Sequence, residues 1–194
     1  MSSRPRENTA RPSPGSLVLR SPLFWILLLA ALYRLVYFLQ VHRDPTSIVP
    51  IWDAAVFDEM ARSIARGHGI GYDRAYFFGP LYAYTLGLLY AVLGPCLKCA
   101  LFLNHLLGVV LCAITYLLGR HWFNRSVGLT AAALLAFSGV AVFFEGKLLM
   151  ETLVSVLLAA QLLLLIRGER RPRAWRFLAA GLLLGLAATG RPSL

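Results

Sequence analysis

Apolar positions along this chain neither alternate nor form one amphipathic stripe. They come in continuous blocks, at about 23–41, 100–118, 127–144, 149–166 and 177–190. Blocks of this kind are what a helix needs to cross a hydrocarbon core at about 1.5 Å per residue. Five transmembrane helices are therefore predicted. Residues 1–21 are polar and rich in Arg, Pro and Ser, and read as a disordered basic cytoplasmic tail. The first block is too long for a signal-peptide core, and no small-x-small cleavage site follows it, so it reads as a retained first span with its N-terminus inside.

Residues 42–98 form a large outer loop, polar over 42–79. Within it, Asp53 to Arg66 has helical periodicity, with Phe57, Met60, Ala61 and Ile64 on one face together with Asp53, and Gly67, Gly69 and Gly71 ending the helix. Pro80 to Gly94 is apolar but short for a span. Charge decides its place. If it crossed the membrane, the segment holding Arg167, Arg170, Arg171, Arg173 and Arg176 would lie outside, against the positive-inside rule. If it lies along the outer surface, where Tyr76, Tyr82, Tyr84 and Tyr90 suit an interface, the inner side holds eleven basic and two acidic residues and the outer side eight and seven. The expected fold is an all-α integral membrane domain over 22–194, with five transmembrane helices and two outer-surface juxtamembrane helices.

Composition agrees. The chain is 58% hydrophobic with a mean hydropathy of +0.67, more apolar than ordinary soluble domains. A net charge of +10 would point to nucleic acid in a soluble protein, but here the arginines sit in short segments between apolar blocks and serve topology instead. Cys96 and Cys99 form a C-x-x-C with no second pair, which argues against zinc. They read as two small residues beside a helix start, with a redox pair or outward-facing disulfide as the alternative.

Seven carboxylates fall outside: Asp44, Asp53, Asp58, Glu59 and Asp73 in the first outer loop, and Glu145 and Glu151 around the 143–151 junction. The two places would face each other in a bundle. Most loop acids are simply solvated, and Asp58 with Arg62 at i, i+4 is explained by a surface pair. Asp53 shares its face with Phe57 and Met60, so it points towards the bundle or membrane and needs a partner or a task. Glu151 begins the fourth span, where the helix dipole alone would favour it. Arg34 in the first span either snorkels or faces a polar cavity, Glu145 and Lys147 serve equally as interface anchors, and Arg191 is either an anchor or a phosphate ligand. Carboxylates and cations together at one membrane boundary suit a lipid-linked phosphate substrate.

The segments WDAAVFDEMARSIARGHGIG and YFFGPLYAYTLGLLYAVLGP, followed in order by YLLGRHWFNRSVGLTAAALLAFSG, FFEGKLLMETL and AGLLLGLAATGRP, resemble the GT-C membrane glycosyltransferases, in their protein O-mannosyltransferase and aminoarabinose-transferase branch. The resemblance runs from about residue 23 onward. It implies an enzyme that moves a sugar from a polyprenyl-phosphate carrier to a lipid, glycan or protein acceptor on the outer face of an inner or plasma membrane. It implies Asp53 as the catalytic aspartate and general base, by its spacing to Phe57 and Gly67, with Asp58 of the Asp58-Glu59 pair as runner-up, Glu151 as the second acidic position, and Arg191 at the carrier phosphate, with Arg34, Glu59, Glu145 and Lys147 around the substrates. Some relatives carry an acidic-basic pair where this chain has Phe78 and Gly79. The family has about twice as many helices, so the chain reads as an N-terminal portion. No His cluster compels a metal, and a divalent ion held with Glu151 is left open. The competing readings are a transporter subunit and a non-catalytic truncated membrane protein.

This topology predicts the labelling of single cysteines introduced into a chain lacking its native ones. In intact cells an impermeant thiol reagent is expected to modify position 63 and not position 174. Modification of position 174 would mean that 80–94 crosses the membrane or that the protein is inverted.

Overall fold

The computed structural model describes residues 21–41, 49–70, 78–170 and 172–191. The expectations for the basic N-terminal tail and for Asp44 and Asp73 lie outside the described residues. The domain is all-α, as expected. Among the described residues the helices are α1 (Pro22–Val41), α2 (Asp53–Ala65), α3 (Pro80–Leu93), α4 (Leu97–Trp122), α5 (Arg125–Ala136), α6 (Gly139–Glu145), α7 (Glu151–Arg170) and α8 (Ala174–Gly190).

Helices α1, α4 and α7 are each long and apolar enough to cross a membrane, and α5 with α6 makes a fourth span if the two count as one. These two were expected as one continuous helix. They are bent by 56° at Phe137 and Ser138. Ser138 has extended backbone and its Oγ accepts from the Ala141 amide at 3.4 Å, so it caps a new helix inside an apolar block. Helix α8, expected as the fifth span, has 17 residues, about 25 Å at 1.5 Å per residue, the short limit for a crossing.

Small residues set the helix spacing. Gly119 and Gly128 face each other where α4 turns back into α5, and a Cβ on Gly119 would come within 2.8 Å of the Gly128 Cα. Asn124 closes that turn, its Oδ1 accepting from the Val127 amide at 2.9 Å. Gly79, just before Pro80, abuts the Gly190 carbonyl, which docks the start of α3 on the end of α8. Outward-facing Trp25, Leu32, Leu134, Leu178 and Leu182 are exposed, as a lipid-facing surface requires.

Helices α2 and α3 pack together and cover the first turns of α4. Phe57, Met60, Tyr82, Leu86, Tyr90, Leu101 and Leu148 form the main apolar core there. Cys96 and Cys99 are joined by a disulfide at the start of α4, where Cys96 Sγ also accepts from the Cys99 amide at 3.2 Å. The simpler expectation of two small residues is thus corrected: a C-x-x-C over a helix N-terminus has the short Cα separation, here 5.2 Å, that a disulfide needs.

Deeper in the bundle lies an ion network. Arg34 of α1 is 1% exposed and Glu145 at the end of α6 is 3% exposed. Arg34 donates from Nε to Oε2 at 2.7 Å and from Nη2 to Oε1 at 2.8 Å, a two-point fork. Its Nη1 donates to the Ala136 carbonyl at 3.1 Å, one of those freed where α5 ends. His105 of α4, also buried, lies 3.2 Å from Glu145 Oε2 through Nδ1. Gly108 leaves the space, because a Cβ there would overlap the Glu145 carboxylate. Arg34 therefore has its charge matched within the bundle.

Removing one side of such a pair leaves a bare buried charge, which costs about 3–5 kcal/mol. Arg34→Met is expected to destabilise the detergent-solubilised protein by that amount, and Arg34→Met with Glu145→Gln to recover most of it. Losses that simply add, measured by denaturant melts, would show that the two side chains are not coupled.

Candidate functional site

The two stretches expected to face each other do meet. Residues 49–54, ahead of and within the first turn of α2, and residues 146–149, between α6 and α7, line one cleft of about 310 Å³, with Leu97 and Leu101 of α4 completing its wall. Asp53 lies on this cleft and is exposed. Of the expected turn towards the bundle or membrane, the turn into the bundle is not found: Asp53 is the exposed first residue of α2, and the buried residues of that helix begin with Phe57.

Trp52 precedes it with φ 55°, the positive-φ conformation that bulky residues rarely adopt, and is 86% exposed on the cleft. Strain of this kind is kept where surrounding structure enforces it, and it is often found at functional sites. The carboxylate directly after this strained, exposed tryptophan lies on the same cleft.

Lys147 lines the same cleft. Its backbone is fixed from below: Asn104 of α4 is fully buried and donates from Nδ2 to the Lys147 carbonyl at 2.9 Å and to Tyr82 Oη at 2.9 Å. Its ammonium rests 5.2 Å from the Phe143 ring centroid, a cation–π contact. Asn104 was not foreseen. A buried amide in a long apolar helix, next to His105, was the available signal, since polar groups within spans are costly and seldom idle.

Asp58 stands differently. Its Oδ2 accepts from Arg62 Nε at 2.7 Å and its Oδ1 from the Tyr90 hydroxyl at 2.6 Å. Both oxygens are thus engaged, one within α2 and the other joining α2 to α3. Glu59 is exposed on α2, away from the cleft lining. Arg34 and Glu145 are bonded to each other behind the cleft floor rather than on its surface.

Glu151 and Arg191 lie in a neighbouring region. Glu151 opens α7, and its Oε2 is buried with no hydrogen-bond partner. A buried acceptor left unpaired costs about 1–3 kcal/mol unless a donor arrives. Arg191 follows α8 and is exposed, and the adjacent Gly190 touches Leu81 of α3 and Val154 of α7, one turn beyond Glu151. Among the described residues no three His, Cys, Asp or Glu side chains come together to hold a metal ion.

The comparisons with known proteins add one match. The sequence profile of the family described as dolichyl-phosphate-mannose-protein mannosyltransferase matches residues 77–193. No curated protein and no solved structure matches the chain.

Burial, and then the hydrogen bond to Asp58, hold the Tyr90 hydroxyl above the ordinary tyrosine value of 10.0. A raised folded-state pKa gives stability that is complete below the unfolded value and is lost as pH rises through the folded one. Tyr90→Phe is expected to cost about 1 kcal/mol at pH 8, where the hydroxyl donates, and the gap to the parent to narrow above about pH 10. A difference in Tm that stays constant from pH 8 to pH 11 would contradict this.

Proposed function

The chain belongs to the dolichyl-phosphate-mannose-protein mannosyltransferase family, a group of glycosyltransferases of the GT-C kind, and from that premise we propose that it transfers a sugar from a polyprenyl-phosphate carrier to an acceptor hydroxyl at the outer face of the membrane. The observation that carries this reading is the single cleft at the bundle's end shared by Asp53 and Lys147.

In the proposed reaction Asp53 accepts the proton of the acceptor hydroxyl. That oxygen forms a bond to the anomeric carbon of the sugar as the bond from that carbon to the carrier phosphate breaks. The electron pair leaves with the phosphate, and polyprenyl phosphate is the leaving group. The leaving oxygen gains negative charge, so a cation beside it lowers the barrier. Lys147 is the cation of this cleft, and Arg191 is assigned to the same phosphate from the end of α8. The orphaned Glu151 oxygen is assigned to a hydroxyl of the acceptor or sugar, a donor that would satisfy it. Asp58 is assigned to structure, since both its oxygens already have donors.

Two observations support the outer orientation. The Cys96–Cys99 disulfide lies beside the cleft, at the start of α4, and disulfides persist in oxidising compartments. Arg120, Arg125, Arg167, Arg173 and Arg176 gather around the α4–α5 and α7–α8 turns at the opposite end, where the positive-inside rule puts cations on the cytoplasmic side.

Asp53→Asn keeps size and removes the base. Turnover with a polyprenyl-phosphate-linked mannose donor is expected to fall by about 10²–10⁴-fold, with the affinity for the carrier phosphate unchanged. Normal turnover in this variant would remove Asp53 from the mechanism, and a matching loss in Asp58→Asn without loss of stability would transfer the role to Asp58.

A further inference from the structure

A second cleft lies at the far end of the bundle, between the last turns of α4 and α7. It encloses about 460 Å³ and is lined by Leu117, Arg120, His121, Phe123, Leu163 and Arg167. Its polar groups come from parts of the chain far apart in sequence, brought together because α4 packs on α7. No carboxylate lines it, and among the described residues neither the Arg120 nor the Arg167 guanidinium has an ion-pair partner.

Topology alone asks only that cations lie on one side of the membrane. The helix dipole alone explains a cation in a last turn, such as Arg120. Neither explains two guanidiniums from different helices on one concave surface. The charge balance favours an anion there, because two helix C-termini contribute about half a negative charge each against two full positive charges. The remaining wall is apolar, with Leu117 and Leu163 on the membrane side of the cations and Phe123 at the turn. Inorganic phosphate would meet the cations and have no use for that wall. A phospholipid meets both, its phosphate at the arginines and its acyl chains along the leucines.

We propose that this cleft binds the phosphate headgroup of an anionic membrane lipid, at the membrane boundary opposite Asp53. The site is independent of the sugar-transfer cleft, so its test stands whether or not that reading holds. Basic pockets between spans at a membrane boundary recognise anionic headgroups through such pairs of cations.

The test is native mass spectrometry of the full chain released from nanodiscs of mixed phosphatidylcholine and phosphatidylglycerol. Phosphatidylglycerol is expected to be retained over phosphatidylcholine by more than their ratio in the disc. Arg120→Gln with Arg167→Gln is expected to lower that preference by about five-fold per cation removed. Both residues are exposed, so the fold should tolerate the change. Arg125→Gln with Arg173→Gln removes equal charge from the same end outside the cleft and is expected to leave the preference intact. Equal retention of the two lipids by the parent would overturn the proposal without any variant, and so would an equal loss in the second pair, which would mean net charge alone is read. Displacement of phosphatidylglycerol by millimolar inorganic phosphate would also overturn it, by showing free phosphate to be the ligand.

Discussion

The fork between Arg34 and Glu145 is the constraint around which this bundle is arranged. A guanidinium in the interior of a membrane domain is tolerated only with its charge matched and its N–H groups occupied. Both carboxylate oxygens of Glu145 supply that, and the Ala136 carbonyl takes a further N–H. For Glu145 to reach Arg34, the chain between them must break. A straight helix through residues 125–145 would not free the Ala136 carbonyl, and the Ser138 cap provides the interruption. The bend therefore follows from the ion pair as much as from local sequence. His105 and the space at Gly108 bring α4 into the same arrangement, so α1, α4, α5 and α6 converge on one polar point.

The consequence for the site is direct. Glu145 ends α6, and the residues after it, 146–149, form one side of the cleft. Anchoring Glu145 sets where this segment begins, and Asn104 holds it again at the Lys147 carbonyl. On the other side, Asp53 is placed by the packing of α2 on α3, tied by the Asp58 link to Tyr90 and by the close approach of Gly87 to Ile64. The cleft thus has two fixed walls, joined through Asn104, which bonds both the Lys147 carbonyl and Tyr82 of α3. Rigid support behind exposed polar groups is what transfer chemistry at a phosphate requires, since most of its barrier is lowered by positioning and charge. The same network weighs against a translocation pathway: its buried charges are bonded to one another rather than arranged along a route through the membrane.

Much of this was legible in hydropathy and charge. Continuous apolar blocks give helices, and the periodicity of Phe57, Met60 and Ala61 gives the buried face of α2. What hydropathy does not contain is pairing. Arg34 and Glu145 are 111 residues apart, and each alone is explained by snorkelling or by an interface anchor; only the fold shows that they answer one another. Asp53 was legible as a candidate but not in its exposure, because helical periodicity says nothing about the first turn, where no preceding turn covers the face. The break at Ser138 was hidden for a related reason: a single serine among apolar residues changes hydropathy little, while its cap changes the direction of the chain. Trp52 gave no sign at all, since a positive φ at a tryptophan is imposed by surroundings rather than by its own preference.

The depth of the cleft is set by helix length. Helix α4 has 26 residues, about 39 Å at 1.5 Å per residue, which exceeds a hydrocarbon core of about 30 Å by roughly six residues. Arg120 and His121 mark one boundary of that core, because a cation deeper than this would need a partner of the kind Arg34 has. About 20 residues back from Arg120 the core ends near Leu101, which with Leu97 lines the Asp53 cleft. On that placement the cleft is level with the headgroups. If α3 lies along the surface, as the charge pattern predicts, the short α8 ends at the same level, where the start of α3 closes over Gly190. A phosphate carried on a membrane-anchored lipid lies at the same level. On the proposed reading the carrier needs neither to leave the bilayer nor to sink into it, and an acceptor reaching Asp53 from the aqueous side meets it at the boundary between the two.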